Sequence, residues 1–337
     1  MAPVILTVTL NPAYDMTYRL DTFARGRVQR VTEVEQRIGG KGINVSRVLG
    51  QLGIEALATG FSDEAFASAA AQDLPADFIP VLPRVRRTVV ITESADGTTT
   101  GLWEPGARPN HPEAAMDRLR LRITTLLPTL RGMVISGSLP SGVDPAFPAE
   151  LAGTALAAGI PTICDVDGPA LVAAAAIPGV VLVPNEDELA RLTASRSSSS
   201  PVTESAETAC SHPAATTETV ITTAQPLLDA GVRAVIATRG PAGMIACTQS
   251  GSWSAALPEP MSGNPTGAGD AAAAAVIAAL ATSPQPDWPT ILTDAVATSA
   301  AAVAVPVAGQ IDLALREGLS SQIIVTRARR AAQELPS

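Results

Sequence analysis

Residues 133–166, MVISGSLPSGVDPAFPAELAGTALAAGIPTICDV, contain the pattern that decides the fold. The apolar runs MVIS at 133–136 and TICDV at 162–166 are short and are predicted to be buried strands. The Ala- and Leu-rich stretch at 146–158 between them is typical of a helix. Because two strands joined through a helix favour a parallel arrangement, this segment predicts a parallel α/β unit.

The same alternation extends in both directions along the chain. Apolar runs at 4–10, 180–183 and 234–238 are predicted to be strands, and segments 186–193 and 223–231 are predicted to be helices. Each strand ends in a polar or Gly/Pro-rich turn, such as NPAYD after the first and RGPAG after the last. The pattern therefore predicts a mostly parallel sheet with helices on both faces, and ligands at the carboxyl ends of its strands.

Two segments, 12–38 and 84–104, alternate polar and apolar residues instead. This alternation predicts antiparallel strands with one solvated face, and hence a small sheet that projects from the main domain. Residues 194–219 are rich in Ser, Thr, Pro and Ala, which predicts a flexible surface insertion.

Composition limits the classes of function. The chain has 337 residues, of which 46% are hydrophobic, and its formal net charge of −9 argues against a nucleic-acid-binding surface. The cysteines Cys164, Cys210 and Cys247 are far apart, which fits a reduced compartment and provides neither a zinc nor a disulfide framework. No signal-peptide pattern is present, and the longest apolar run, 271–281, is too short to cross a bilayer. We therefore expect a cytoplasmic protein that binds neither nucleic acid nor membrane.

The segment 263–280, GNPTGAGDAAAAAVIAAL, carries the sharpest chemical pattern. Its Gly-rich turn runs directly into an Ala-rich helix, and the first turn of a helix has free backbone N–H groups that favour negative charge. The amides of Gly267, Ala268, Gly269 and Asp270 could therefore form an anion hole. Asp270 could take a proton from a hydroxyl while these amides neutralise charge on a transferring phosphoryl group. The alternative interpretation is that Asp270 is only an N-cap and the glycines only serve a tight turn.

A second Gly-rich segment, RIGGKGINVSRVLGQLG, spans residues 37–53. Apolar residues at i, i+3, i+4 and i+7 from Val45 predict a helix that begins near Gly42. Lys41 and Asn44 would lie in its first turn, directed outward. The spacing matches neither a P-loop nor the GxGxxG fingerprint of a nicotinamide-dependent dehydrogenase. The alternative interpretation is a plain Gly-rich loop with a solvated lysine.

Polar residues at strand ends are the third feature. Asp15 follows the first strand, and Asn185 and Glu188 follow the strand at 180–183. An Asn and a Glu three residues apart at a helix start lie on the same side, where they could organise water around Mg²⁺ without forming a full cage. The alternative interpretation is that they cap the helix.

Together these segments resemble the PfkB/ribokinase family of carbohydrate kinases, and within it the branch of bacterial 1-phosphofructokinases and tagatose-6-phosphate kinases. Two family signatures and four further motifs occur in the family's order over nearly the whole chain. They are TLNPAYD at 9–15, GGKGINVSRVLGQLG at 39–53, SGSLPSG at 136–142, DVDG at 165–168, PNEDEL at 184–189 and GAGD at 267–270.

The resemblance implies a ribokinase-like three-layer α/β/α domain over 1–337, with a mostly parallel sheet and a small β-sheet lid that often pairs two copies as a homodimer. It implies ATP and Mg²⁺ as cofactors and a sugar or sugar phosphate as substrate. Asp270 would be the catalytic base beside an anion hole of Gly267, Ala268 and Gly269. By the resemblance, the residues that bind sugar hydroxyls are Asp15, Gly39, Gly40 and Asn44. Those that bind the substrate phosphate are Lys41, Arg87 and Ser138, with Arg27 as a further candidate. The nucleotide would be bound by Asn185, Thr238, Gly240 and Gly243, and Glu188 would bind the metal through water.

The chain departs from the family pattern at four places. Val183 replaces the Lys often found before PN, Arg239 replaces an apolar residue in the nucleotide loop, and Ala271 and Val89 replace a frequent Ser and Asn. The base and the anion hole remain, so we expect phosphorylation of a ketohexose phosphate such as fructose 1-phosphate, fructose 6-phosphate or tagatose 6-phosphate. Val89 favours a neutral hexose or pentose as the alternative substrate. Val183 and Arg239 favour a non-catalytic sugar-binding relative as the alternative function.

Overall fold

A computed structural model of the chain describes residues 3–197 and 216–328. Strands and helices alternate through most of both ranges. The strands are β1 (Val4–Thr9), β2 (Ala13–Leu20), β3 (Glu33–Gly39), β4 (Ala56–Ser62), β5 (Ala76–Pro80), β6 (Arg86–Glu93), β7 (Thr99–Trp103), β8 (Leu130–Ser136), β9 (Thr162–Asp165), β10 (Val181–Leu182), β11 (Ala234–Thr238), β12 (Met244–Thr248), β13 (Gly251–Ala256) and β14 (Ile324–Ala328). The α-helices are α1 (Lys41–Gln51), α2 (Glu64–Asp73), α3 (Pro112–Leu126), α4 (Phe147–Ala157), α5 (Gly168–Ala174), α6 (Glu186–Ser197), α7 (Thr217–Asp229), α8 (Ala268–Thr282), α9 (Trp288–Val303) and α10 (Leu313–Ser320).

The main sheet has ten strands in the order β14-β13-β12-β11-β10-β9-β8-β1-β4-β5. Every neighbouring pair from β11 to β5 is parallel, whereas β12, β13 and β14 add antiparallel strands at one edge. The prediction of a mostly parallel sheet is confirmed. The segment quoted first forms β8, α4 and β9, and its two strands pair in parallel as predicted.

Helices cover both faces of this sheet because its central strands are apolar on both sides. In β1, Leu6 and Val8 pack into one core with residues of α2 to α7, while Ile5 packs into a second core with α1, α8 and α9. Successive strand residues point to opposite faces, so one apolar run supplies both cores. The three-layer α/β/α architecture follows from this.

Helix α8 explains the alanine run at 271–281. Ala271 to Ala275 are fully buried between the sheet and the neighbouring helices α1 and α9. Small side chains let these helices approach closely, and Ala also has the highest helix propensity. The prediction of a buried helix here is confirmed.

A second sheet has four strands in the order β3-β2-β6-β7. Its strands lie within the two segments whose alternating pattern predicted a small sheet. The pairs β3–β2 and β6–β7 are antiparallel, and the central pair β2–β6 is parallel. Because β2 follows β1 and β3 leads into α1, the small sheet is attached at the carboxyl edge of the main sheet.

Some elements were not predicted from the sequence. Strands β4 and β13, with the sequences ALATGFS and GSWSAA, lack an uninterrupted apolar run, and the remaining unpredicted strands are β5, β12 and β14. Within the predicted insertion at 194–219, residues 198–215 lie outside the described residues. Among the helices of the described ranges, none has the length and apolar character needed to span a bilayer.

Candidate active site

The residues singled out in the sequence lie mainly along the carboxyl edge of the parallel strands. Segments that follow β1, β8, β9, β10 and β11 meet there because these strands are neighbours in the sheet. The amino termini of α1 and α8 reach the same edge, and the two helices contact each other. An edge of this kind is where open α/β sheets bind ligands.

Helix α8 begins at the predicted Gly-rich turn. Gly267 is its N-cap with φ 86°, a left-handed conformation that favours glycine, and a Cβ at this position would lie 3.0 Å from the Cβ of Ala308. The amide of Ala271 donates to the carbonyl of Gly267 at 2.9 Å. The preceding amides of Gly269 and Asp270 therefore have no acceptor within the helix. Asp270 is the third helical residue, so the alternative that it is the N-cap is wrong.

Asp270 is the central acid of the site. Its side chain is buried, with the residue 5% exposed, and its Oδ2 accepts a hydrogen bond of 2.8 Å from Nδ2 of Asn44. Burial raises the pKa of Asp270 to about 7; the nearby Asp165 carboxylate adds to this, while Lys41 and the Asn44 hydrogen bond act in the opposite direction. A buried carboxylate with a pKa near neutrality is suited to accept a proton from a substrate.

Lys41 is the first residue of α1, after the N-cap Gly40. Its Nζ lies 3.2 Å from Oδ1 of Asp165, and the hydroxyl of Ser136 donates to the other carboxylate oxygen at 2.8 Å. Asp165 raises the pKa of Lys41 above its ordinary value. Lys41 is thus paired with Asp165, while its side chain is still 44% exposed to solvent. Asp165 ends β9 in the DVDG motif, and its role was missed because only the tertiary structure brings it to Lys41.

Asp15 lies on β2, where β6 and the end of β3 approach it. Thr88 donates a hydrogen bond to its carboxylate. A Cβ on Gly39 would lie 2.0 Å from Oδ2 of Asp15, so only glycine fits at that position. Burial raises the pKa of Asp15, while the Thr88 hydrogen bond and nearby arginines act in the opposite direction. Asp15 and Asp270 are close enough to influence each other electrostatically.

The structure does not bring Arg87 to this group. Arg87 is exposed, and its backbone amide donates to Glu104. Successive residues of a strand point to opposite faces, so Arg86 lies on the same side of β6 as Thr88, and its charge interacts with that of Asp15. Burial lowers the pKa of Arg86, and its Nε is buried without a hydrogen-bond partner among the described residues. Arg27, in the connection between β2 and β3, is exposed as well.

Ser138 follows β8 and accepts a hydrogen bond of 3.1 Å from Nδ2 of Asn11. Asn11 follows β1 in the LNPAYD motif and is 5% exposed. The segment after β7 reaches this asparagine, because a Cβ on Gly106 would lie 2.3 Å from its Oδ1. Asn11 belongs to the LNPAYD motif, but the sequence predicted no role for it.

Asn185 and Glu188 form a reciprocal cap at the start of α6. The amide of Asn185 donates to Glu188 Oε2 at 2.9 Å, and the amide of Glu188 donates to Asn185 Oδ1 at 2.8 Å. The capping interpretation is therefore confirmed. Glu188 also lies near Lys41 and Asp165, and burial raises its pKa. A water-mediated role toward a metal ion stays a prediction.

The predicted nucleotide residues lie beside this cap. Asn185 forms a parallel bridge with Thr238 at the end of β11, and the amide of Thr238 donates to the carbonyl of Pro184 at 3.0 Å. Gly240 and Gly243 lie in the turn that follows β11. Two strands, β8 and β9, separate this group from β1 in the sheet. The site thus has two parts. The predicted nucleotide residues lie near β10 and β11, and the predicted sugar residues lie near β1 and the small sheet. Asp270 contacts the sugar part through Asn44.

A three-layer α/β/α domain with a small sheet at its carboxyl edge, and with a buried aspartate in the first turn of a Gly-initiated helix, defines the ribokinase-like class of fold. A family model described as pfkB family carbohydrate kinase matches residues 8–312. The chain belongs to the pfkB family and is an ATP-dependent carbohydrate kinase.

Solved structures share this fold. Phosphofructokinase-2 from Escherichia coli in complex with fructose-6-phosphate has a TM-score of 0.80 at 24% identity, covering 95% of this chain and 98% of that chain. A possible 1-phosphofructokinase from Thermotoga maritima has a TM-score of 0.79 at 22% identity, covering 97% and 100%. Ribokinase from Arabidopsis thaliana, complexed with ribose and ATP, has a TM-score of 0.67 at 19% identity, covering 95% and 99%.

Several observations fit the cofactors that this family uses, ATP and typically a divalent metal. The amides at the start of α8 lack acceptors within the helix, and a helix amino terminus suits phosphate groups. Oδ1 of Asn44 is buried and has no hydrogen-bond partner in the described part of the chain. Within that part, no group of three or more His, Cys, Asp or Glu residues could hold a metal ion.

Proposed function

We propose that this chain transfers a phosphoryl group from MgATP to a hydroxyl of a sugar phosphate, with Asp270 as the general base. The observation that carries the proposal is the position of Asp270. Its buried carboxylate lies in the first turn of α8, beside two amides without helical acceptors, and it is hydrogen-bonded to Asn44 at 2.8 Å. The proton acceptor and an anion-binding helix terminus thus lie next to each other, as phosphoryl transfer to a hydroxyl needs.

Each predicted residue has a distinct role in this proposal. Asp270 holds the substrate hydroxyl and takes its proton. Asp15 and Asn44 orient the sugar, while the amides at Gly267–Asp270 balance negative charge at the reacting centre. MgATP, when bound, supplies the phosphoryl group and the metal's counter-charge. Asn185, Thr238, Gly240 and Gly243 would hold the nucleotide, and Glu188 would hold water around the metal.

The substrate is proposed to be a ketohexose phosphate, such as fructose 1-phosphate, fructose 6-phosphate or tagatose 6-phosphate. Arg86 supports an anionic substrate because its partly buried guanidinium lies on the Asp15 side of β6. Lys41 and Ser138 are further candidates for the phosphate. The second candidate is a neutral hexose or pentose. The ion pair between Lys41 and Asp165 favours it, because the lysine charge is already compensated.

We further propose that the small sheet acts as a lid on a single kinase domain and pairs with a second copy. Val34 (56% exposed) and Leu102 (55% exposed) lie on the face of this sheet that points away from Asp15. Exposed apolar surfaces of this kind mark interaction sites. Sedimentation of the wild type and of Leu102→Glu tests the proposal: a dimer that becomes a monomer supports it, and a wild-type monomer contradicts it.

The function is tested by ADP release from MgATP across a panel of phosphorylated and free sugars, with a blank that lacks sugar. Release that depends on a ketohexose phosphate supports the main proposal, and a preference for a free hexose or pentose supports the second candidate. Sugar binding by calorimetry without any turnover would favour a non-catalytic sugar-binding protein instead.

A further inference from the structure

An ion pair joins the two segments to which we assign the nucleotide. Nε of Arg239, just after β11, lies 2.5 Å from Oε1 of Glu186 at the start of α6. Both side chains are largely buried, at 12% and 19% exposure respectively. Partly buried ion pairs are screened by solvent much less than surface pairs, so the loss of one partner has a larger electrostatic effect.

Backbone contacts place this pair next to the proposed nucleotide residues. Arg239 directly follows Thr238, which bridges to Asn185, and Glu186 directly follows Asn185. The turn after Arg239 is itself closed, because the amide of Arg239 donates to the carbonyl of Gly243 at 2.9 Å. The guanidinium and its carboxylate partner are therefore held close to the path of the nucleotide.

Without Arg239, the charges at the start of α6 would be unfavourable for an anion. Helix α6 begins with three consecutive acidic residues, Glu186, Asp187 and Glu188. A nucleotide polyphosphate approaching them would be repelled, and the repulsion would be strongest from a carboxylate that is partly buried. Arg239 compensates one of these three charges through a direct contact.

We propose that Arg239 is a positioning residue for the nucleotide, and that it acts through Glu186 by neutralising a carboxylate that would otherwise repel the polyphosphate. The inference rests on the proposed function, because it takes this part of the site to hold the nucleotide. It also explains how the chain accepts Arg at a place where the resemblance led us to expect an apolar residue.

The test is a double-mutant cycle of Arg239→Leu, Glu186→Gln and both together. Two kinds of measurement are needed. Steady-state kinetics give the KM for MgATP, kcat and the sugar KM, and calorimetry gives the Kd of magnesium AMP-PNP. Arg239→Leu should raise the KM for MgATP and the Kd by about tenfold, with kcat and the sugar KM changed less than about threefold. The double variant should recover nucleotide binding to within about threefold of the wild type, because position 186 then carries no uncompensated carboxylate.

Two further variants complete the design. Arg239→Lys keeps the charge and should lie between the wild type and Arg239→Leu in nucleotide affinity. If Arg239→Leu fails to fold, Arg239→Lys and the double variant still test the inference. Arg120→Leu is the matched control, because Arg120 forms an ion pair with Glu150 between α3 and α4, which carry no residue assigned to the site. It should leave the nucleotide affinity unchanged.

The outcomes separate this inference from the proposed function. A double variant no better than Arg239→Leu, or a Glu186→Gln variant as impaired as Arg239→Leu, would show that the pair acts only as a structural link and would overturn the inference. Unchanged affinity in Arg239→Leu would also overturn it. A wild type that binds magnesium AMP-PNP but releases no ADP with any sugar would overturn the proposed function, while the calorimetric cycle would still decide the role of Arg239.

Discussion

Nδ2 of Asn44 donates a hydrogen bond of 2.8 Å to Oδ2 of Asp270, across 226 positions of the chain. The bond joins the first turn of α1 to the first turn of α8. It brings together the two Gly-rich segments that carry the clearest chemical patterns in the sequence. Because the bond stabilises the charged form of Asp270, it also opposes the effect of burial on the pKa of this residue.

Replacing Asp270 by Asn should abolish most of the turnover while sugar binding is retained. The Asn side chain can still accept the hydrogen bond from Asn44 but cannot take a proton from the substrate. We expect kcat to fall by about a hundredfold or more, the usual scale for loss of a general base. Steady-state kinetics and sugar calorimetry measure the two effects, and a kcat close to that of the wild type would exclude Asp270 as the base.

The rate should depend on pH through the same carboxylate. Asp270 must be deprotonated to act as a base, and burial raises its pKa to about 7. We therefore expect kcat/KM to rise with pH below about 7 and to level off above it. Asn44→Ala removes the hydrogen bond that lowers the pKa, so its profile should be displaced to higher pH. Identical midpoints in both proteins would contradict this assignment.

The stability of the protein should reflect the same shift in the pKa of Asp270. The pKa is about 7 in the folded protein, against about 3.9 in an unfolded chain. The protonated carboxyl therefore contributes stability that is present below about pH 4 and is lost as the pH rises through 7.

Asp270→Asn should escape this loss. Between pH 5.5 and pH 8, the free energy of unfolding of the variant should therefore increase relative to that of the wild type. The wild type loses about 1.4 kcal/mol for each pH unit up to the folded-state pKa of Asp270, and the variant does not. Urea unfolding at the two pH values measures the difference. A difference that does not change with pH would show that the pKa of Asp270 is not raised by folding.

Arg86 and Arg87 form a matched pair for testing the phosphate site. Arg86 lies on the Asp15 side of β6, whereas Arg87 is exposed. Arg86→Ala should raise the KM for a sugar phosphate by about tenfold or more and that for a neutral sugar much less. Arg87→Ala should change either KM by less than about twofold, as is usual for an exposed charge. The opposite order would restore the assignment that the family resemblance gave to Arg87.

Gly39 and Gly50 form a second matched pair. A Cβ on Gly39 would lie 2.0 Å from Asp15 Oδ2, whereas a Cβ on Gly50 would meet nothing within 4 Å. Gly39→Ala should displace the Asp15 carboxylate and raise the sugar KM by about tenfold or more. Gly50→Ala lies in an exposed part of α1 and should stabilise the protein by about 0.5–1 kcal/mol without changing the KM. Equal effects of the two variants on the KM would contradict the geometry.

Much of the fold followed from local patterns. Short apolar runs that alternate with Ala- and Leu-rich segments predicted β1, β8, β9, β10 and β11, and with them the helices α4, α6 and α7. Strands such as β4 and β13 escaped prediction because polar and glycine residues interrupt their apolar pattern. The antiparallel edge of the main sheet, β12 to β14, was not foreseen either.

The sequence by itself determined the class of fold and where α1 and α8 begin, because glycine turns, helix starts and apolar periodicity depend on neighbouring residues. It also singled out Asp270, since only a few residues can lie at the start of that helix. The tertiary structure alone decided that Lys41 pairs with Asp165, that Arg86 rather than Arg87 lies on the Asp15 side, and that Arg239 contacts Glu186. These contacts join residues far apart in the chain, and they depend on strand order and on the face of a strand to which each side chain points. No local pattern carries that information.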